Sequence, residues 1–387
     1  MTDHDTETRL RDYLHTKAQV VPDHATPPEP VASVHRPRRT WPVLAAAASM
    51  AAVLALAVPY LGGLGSDDPP VSAGGGLSSL KVPYILTEGP GSRTLHDGTT
   101  TIPLGNGPAR DVVARLATGW LVVTAKTDAG KRVTLGHAVL TKDGRLRPVG
   151  PSNAMQNAIL SPDRKQVAIL GQIAGGSFKI EVIDLATGNK TADLPLPSLV
   201  ALHAWSKHGI WYDDDTAANP QLWQPGEQPR EVEIPGFTSI TAPGTTDRML
   251  IRTQRDGCVK VMTMDESGEL TTLRENCDST SDAGLSPDGK VLVIPELQVA
   301  VNVDSGEQTP LPDLSNQSVG LVFEDDRTVL AMATLAVSES QPTPTTPIRT
   351  LEAHQLLKRC DVLTGTCEKV FERLPGTDDP TIGIGQP

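Results

Sequence analysis

Seven polar turns, each ending in a glycine, recur along the chain at Gly98, Gly144, Gly188, Gly226, Gly268, Gly306 and Gly365. Their spacings are 46, 44, 38, 42, 38 and 59 residues, a mean near 44. The flanking runs are alternating or β-branched, as in Ile180-Glu181-Val182-Ile183 before Gly188 and Val299-Ala300-Val301-Asn302 before Gly306. Such runs read as strands. Tight hairpins need φ > 0, which sets Cβ of any other residue against its own backbone, so glycine marks the turn.

A second turn falls between these hairpins. Leu160-Ser161-Pro162-Asp163-Arg164-Lys165 and Leu285-Ser286-Pro287-Asp288-Gly289-Lys290 are near copies, and looser versions begin at Leu116, Trp205, Ala242 and Phe323. Two hairpins per period make a four-stranded unit, whose apolar faces are buried only by stacking on neighbours around an axis. The expected fold class is all-β, a β-propeller of about seven blades over residues 77–387, with six or eight blades as alternatives. Seven outer hairpins face only six inner ones. The missing inner strand is expected from Thr381-Ile382-Gly383-Ile384, sharing one blade with Lys81–Leu86 and the first hairpin. With 13 aromatic residues in all, the blades must pack mostly on Val, Leu, Ile and Ala.

The Leu-Ser-Pro-Asp-Gly-Lys turn and the Asp-x-x-Thr-Gly hairpins at Asp184–Gly188 and Asp361–Gly365 resemble those of TolB-like and WD40-like bacterial β-propellers. The similarity covers most of residues 77–387. It implies the fold and says little about activity, because propellers host many functions.

Charge divides the rest of the chain. Residues 1–42 carry six basic and six acidic groups, and residues 43–65 carry none. All of the net charge of -12 therefore lies beyond that stretch. An acidic domain argues against a nucleic-acid partner, which needs a basic face. The 22 residues Val43–Leu64 would reach about 33 Å as a helix, enough for a hydrocarbon core of about 30 Å. They are expected to form one transmembrane helix. Arg36, Arg38 and Arg39 precede it and Asp67-Asp68 follow it. That places the N-terminus in the cytoplasm and the C-terminal domain outside the cell membrane. A cleaved signal peptide fits less well, since its leading segment would be about 40 residues long.

The expected organisation is a cytosolic tail at 1–42, the span at 43–64, a Gly/Pro linker at 65–76 and the propeller at 77–387. In the tail, Leu10, Tyr13 and Leu14 share one face of a short helical segment, and Pro27-Pro28-Glu29-Pro30 lie in an extended spacer. Leu10-Arg11-Asp12-Tyr13-Leu14-His15 is similar to tails of proteins associated with sigma-factor regulation.

All four cysteines follow the span, in an oxidising setting. Four cysteines allow three pairings. Cys258–Cys277 and Cys360–Cys367 is the simplest, because each pair brackets one hairpin. A zinc site is the alternative, without C-x-x-C spacing or a histidine at ligand spacing to support it. Asp213-Asp214-Asp215 offers oxygen ligands to a cation but reads better as a solvated loop. Asp265–Glu269 reads as a turn, and Ser338–Pro347 as an insertion loop. No G-x-S-x-G, H-E-x-x-H or phosphate-loop motif is present, so neither a catalytic residue nor a cofactor is expected. The reading is a membrane-anchored extracytoplasmic module that binds a protein or envelope component. The alternatives are a propeller enzyme with a central-funnel site and a transmembrane regulator whose tail holds a cytosolic partner.

Overall fold

A computed structural model describes residues 74–387, except 90, 128–132, 152–153, 174–175, 215–218, 244–245, 254–256, 278–282, 315–317, 336–353 and 374–380. The expected tail and span, most of the linker and the Ser338–Pro347 insertion lie outside the described residues. Among the described residues no helix is long and apolar enough to cross a membrane.

The chain forms seven four-stranded antiparallel sheets, a seven-bladed β-propeller. Blade 1 holds β1 (Tyr84–Gly89), β2 (Ser92–Asp97) and β3 (Thr100–Pro103). Blade 2 holds β4 (Ala109–Leu116), β5 (Gly119–Thr127), β6 (Val133–Thr141) and β7 (Leu146–Val149). Blade 3 holds β8 (Ala154–Leu160), β9 (Gln166–Gln172), β10 (Phe178–Asp184) and β11 (Lys190–Leu196). Blade 4 holds β12 (Val200–Ser206), β13 (Gly209–Asp214), β14 (Gln221–Trp223) and β15 (Arg230–Glu231). Blade 5 holds β16 (Phe237–Thr241), β17 (Arg248–Thr253), β18 (Cys258–Met264) and β19 (Leu270–Asn276). Blade 6 holds β20 (Gly284–Leu285), β21 (Val291–Ile294), β22 (Val299–Asn302) and β23 (Gln308–Pro310). Blade 7 holds β24 (Ser318–Phe323), β25 (Thr328–Leu335), β26 (His354–Asp361) and β27 (Cys367–Arg373). The last strand, β28 (Thr381–Ile384), returns to blade 1 as its innermost strand, with Tyr84 opposite Ile384 and Thr87 opposite Thr381.

All seven repeat glycines occupy the outer hairpins with φ between 58° and 96°. The serine and aspartate of the second motif fix its turn. Ser161 Oγ donates to Asp163 Oδ1 at 2.8 Å and accepts from Gln166 N at 2.9 Å. Ser286 repeats this with Asp288 at 2.7 Å and Val291 N at 2.9 Å.

Packing is between blades. Seven apolar clusters fill the seven seams, from Ile85, Leu95, Val122 and Leu140 between blades 1 and 2 to Leu77, Tyr84, Leu330 and Leu357 between blades 7 and 1. The ring is therefore closed by side chains as well as by β28. Val, Leu, Ile and Ala dominate these clusters. Trp120, Trp205, Trp211 and Trp223 are also buried, each in the core of blade 2 or blade 4.

The linker expected at 65–76 ends earlier than the glycine run suggests. Gly74–Leu77 form a one-turn helix, α1, that packs on β27. Burial of Leu77, Leu80 and Val82 draws this segment into the blade 7–1 seam. There, Lys81 Nζ lies 2.5 Å from Asp325 Oδ2. Asp325 Oδ1 accepts from Arg327 N at 3.0 Å and Thr328 N at 2.8 Å. Burial alone would raise the Asp325 carboxyl, but these hydrogen bonds with Lys81 and the two amides outweigh it and hold it down to about 2. A depressed carboxyl stabilises the fold above the unfolded value near 3.8 and loses that contribution as pH falls toward 2. Both side chains are substantially exposed, so solvent screening limits the effect to about 1 kcal/mol or less. The Asp325→Asn variant should show a shallower fall in thermal midpoint between pH 4 and pH 2 than the parent.

One residue breaks the local turn rule. Arg164 has φ of 57° where its near copy has Gly289 at 72°. A side chain in that conformation costs roughly 1–2 kcal/mol. The guanidinium offsets this by donating to the carbonyls of Pro387 and of Arg115, the latter at 3.5 Å. Gln386 is also bonded to the backbone of Val113 and Arg115. Arg164 thus fastens the segment after β28 across blades 2 and 3. Arg164→Ala keeps the strain and loses the latch, so its unfolding midpoint should lie below that of Arg164→Gly by about 1 kcal/mol in stability. Equal midpoints would show that the backbone there is unstrained.

Candidate functional site

The innermost strands are irregular in a recurrent way. β4, β8, β12, β16 and β24 each carry a bulge against their neighbour. Bulges re-aim side chains and cluster beside functional sites. In β12 the register passes from Leu202↔Tyr212 to Ala204↔Trp211, leaving His203 as the extra residue. In β16 it passes from Phe237↔Thr253 to Ser239↔Arg252, leaving Thr238.

These two bulges bring together the chemistry of the blade 4–5 seam. His203 Nε2 lies 2.8 Å from Asp213 Oδ1, and the side chains are 10% and 20% exposed. A carboxylate only accepts, so His203 Nε2 is the donor in this contact. The Phe237 ring lies edge-on to the imidazole, centroids 5.1 Å apart and planes at 89°. Asp213 therefore stands at the end of β13 as the partner of an imidazole, which corrects the expected solvated loop at Asp213-Asp214-Asp215. Asp215 lies outside the described residues. Thr238 Oγ1 donates to Arg252 O at 3.0 Å. The Arg252 guanidinium is engaged by Ser239 Oγ at 3.2 Å and Ala283 O at 2.6 Å.

The same seam opens outward because blade 4 is short at its edge. β15 has only two residues, and the chain then runs without strand pairing to Phe237. Val232 and Ile234 turn into the seam while Glu233 and Pro235 stay exposed. A cleft of about 500 Å³ results, lined by Glu233, Ile234, Pro235, Lys260, Met262 and Leu270 among others. Lys260 pairs with Glu275 at 3.1 Å. At the opposite end of the seam a smaller cleft of about 300 Å³ is lined by Lys207, His208, Glu227, Arg230 and Glu266. His208 Nε2 lies 3.1 Å from Met264 O, and burial followed by Lys207 pulls its imidazole below the usual histidine value.

The cysteines are bridged locally, Cys258 to Cys277 and Cys360 to Cys367, with Cα atoms 3.9 and 4.1 Å apart. Cys360 and Cys367 are direct partners across β26 and β27. Cys258 shares one face of β18 with Lys260 and Met262, beside the 500 Å³ cleft. Glu275 lies near Cys258 and Cys277, but both sulfurs are used in a disulfide, and among the described residues no other group of three metal-ligating side chains is close enough for one ion. Asp265 caps a turn, as expected, accepting from Ser267 Oγ at 2.7 Å and Glu269 N at 2.9 Å.

Sequence reasoning found Asp213 by its run of carboxylates but missed His203 and Phe237. A single histidine in an alternating strand carries no signal of a partner ten residues on. A bulge is invisible in the residue pattern.

No protein-family model matches the chain, and no curated protein matches it. Solved structures of similar fold do. The β-propeller domain of the trilobed protease from Pyrococcus furiosus is 13% identical, with a TM-score of 0.48 over 75% of this chain and 93% of that one. The periplasmic gluconolactonase of Pseudomonas aeruginosa is 14% identical, with a TM-score of 0.45 over 78% and 99%. A TolB-type protein from Agrobacterium tumefaciens is 14% identical, with a TM-score of 0.40 over 79% and 98%.

Proposed function

We propose that this chain is a membrane-anchored extracytoplasmic propeller that binds a protein or envelope component. The observation that carries the reading is the pairing of all four cysteines within the propeller, since such bridges persist in oxidising compartments. The uncharged stretch at 43–64 and the arginines before it supply the anchor and the orientation. The open blade 4–5 seam supplies a concave surface that a closed ring otherwise lacks at that edge. Tagged full-length protein, extracted from membranes in mild detergent, should retain a specific partner that washes away from an unrelated single-span protein. Retention of nothing beyond that control overturns the reading.

The His203–Asp213 pair favours a second reading, a propeller enzyme with its site toward the central funnel. Turnover of a substrate by purified full-length protein, abolished by one polar substitution on β12 or β13, would decide for it.

A further inference from the structure

We infer that a cleft at the blade 1–2 seam binds a hydroxyl-bearing molecule with one carboxylate, the chemistry of an acidic sugar. Arg93 and Arg110 hold the carboxylate, and Asp111 limits the ligand to a single negative charge. The site is separate from the blade 4–5 seam and goes beyond the binding reading given for it.

The cleft, of about 480 Å³, forms where the β1–β2 turn meets the connection from β3 to β4. Thr87, Gly91, Arg93, Asn106, Arg110 and Asp111 line it, among others. Gly91 has φ of 86°, and a Cβ there would collide with Asn106 Oδ1, so turn and connection close on each other as one wall. Arg93 on β2 organises the rest. Its carbonyl accepts from Leu104 N at 2.8 Å and Gly105 N at 3.2 Å. Its guanidinium donates to the carbonyls of Ala109 and of Gly107, the latter at 2.7 Å.

Those carbonyls hold the guanidinium in place but leave its charge uncancelled. Arg93 is only 7% exposed, yet it makes no ion pair among the described residues. A charge so far from water is costly without a counterion. Arg110, exposed on β4, adds a second unpaired guanidinium to the same cleft. Burial, then the like charge of Arg110, pulls the Arg93 guanidinium below its ordinary value, and Asp111 opposes this. Two positive groups therefore face an open cleft, and guanidinium forks match a carboxylate in shape and charge. Asp111 is not close enough to pair with either arginine, and its Oδ1 stands over Gly383, where a Cβ would lie 3.0 Å away. It leaves the cleft one positive charge in excess, which a single carboxylate matches. Asp111, Asn106 and Thr87 offer acceptors to hydroxyls on the same ligand.

The test is calorimetric titration of the full-length protein in detergent at constant ionic strength. The probes are D-galacturonate, D-galactose, which lacks the carboxylate, and sulfate, which carries two charges. Galacturonate should bind at least tenfold more tightly than either of the others. Arg110→Gln should weaken that binding tenfold or more while the thermal midpoint of the free protein stays nearly unchanged. Arg93→Lys, which keeps the charge and loses the fork, should weaken it several-fold. Asp111→Asn should raise sulfate affinity relative to galacturonate by tenfold or more, a change of preference that a merely structural residue would not cause. Absence of galacturonate binding, equal binding of galactose, equal binding by the Arg110→Gln protein, or an unchanged preference in Asp111→Asn overturns the inference. So does binding that appears only after Asp378 and Asp379, shortly before Thr381 in sequence, are both changed to Asn, since the anion would then be this chain's own.

Discussion

Replacing Arg359 with Met is expected to lower the unfolding free energy by about 3–5 kcal/mol, the usual result of leaving a buried charge without its partner. The Glu324 side chain is fully buried and that of Arg359 is 16% exposed. Arg359 Nε lies 2.8 Å from Glu324 Oε2, and a second guanidinium nitrogen lies 3.2 Å from Oε1. The remaining donors reach Ser79 O at 2.7 Å, Ser79 Oγ at 2.9 Å and Glu368 Oε1 at 3.1 Å. Lys81 N donates to Glu324 Oε1 at 2.7 Å. Burial alone would lower the Arg359 guanidinium, but Glu324 and Glu368 outweigh it and hold it above its ordinary value.

This network ties the segment before β1 to blade 7, at the seam where the ring closes. Arg359→Lys should recover little, because an ammonium cannot span both carboxylate oxygens and Ser79 at once. The double variant Glu324→Gln with Arg359→Met should be markedly more stable than Arg359→Met alone. Denaturant unfolding monitored by the buried tryptophans measures all three. A loss under about 1 kcal/mol for Arg359→Met, the range of exposed pairs, would mean that the seam is held by its apolar cluster alone.

Reduction of the two disulfides should have an effect of similar size. Their sequence separations are 19 and 7. Loop-closure entropy then assigns about 3 kcal/mol to Cys258–Cys277 and about 2.5 kcal/mol to Cys360–Cys367. Strain and residual unfolded-state structure reduce such values in practice. Cys360 is completely buried in the blade 6–7 cluster with Val329 and Val362, so Cys360→Ser would add a buried hydroxyl to the lost bridge. Paired alanine substitutions isolate the bridge itself. Each pair should lower the thermal midpoint by several degrees, and the parent in reductant should match the four-alanine variant. A parent midpoint indifferent to reductant would show that the bridges are not formed in the protein as isolated.

The blades were legible because their turns are chemically forced. Gly98, Gly144 and the five later repeat glycines are needed where φ is positive, and Ser161-Pro162-Asp163 and Ser286-Pro287-Asp288 carry their own hydrogen bonds. The Thr381–Ile384 strand could be assigned by counting, since one inner strand was missing. What the pattern hid depends on contacts between distant segments. Arg164 occupies a glycine position because Pro387 lies within its reach, more than two hundred residues on. Gly74–Gly76 look like linker, yet Leu77, Leu80 and Val82 pull that stretch into the closing seam. The blade 4–5 opening follows from a two-residue β15, and no composition rule separates that edge from a longer strand. His203 and Asp213 meet because one bulge rotates one side chain, which residue types alone do not encode.

The central claim is that the propeller lies outside a membrane to which residues 43–64 hold it. Protease protection measures this directly. Intact cells carrying the full-length chain with different tags at residues 1 and 387 are treated with an impermeant protease after the outer layers are permeabilised. Loss of the C-terminal tag, with the N-terminal tag retained on a membrane-bound fragment, is the predicted result. Protection of the C-terminal tag, or recovery of both tags in the soluble fraction, would contradict it.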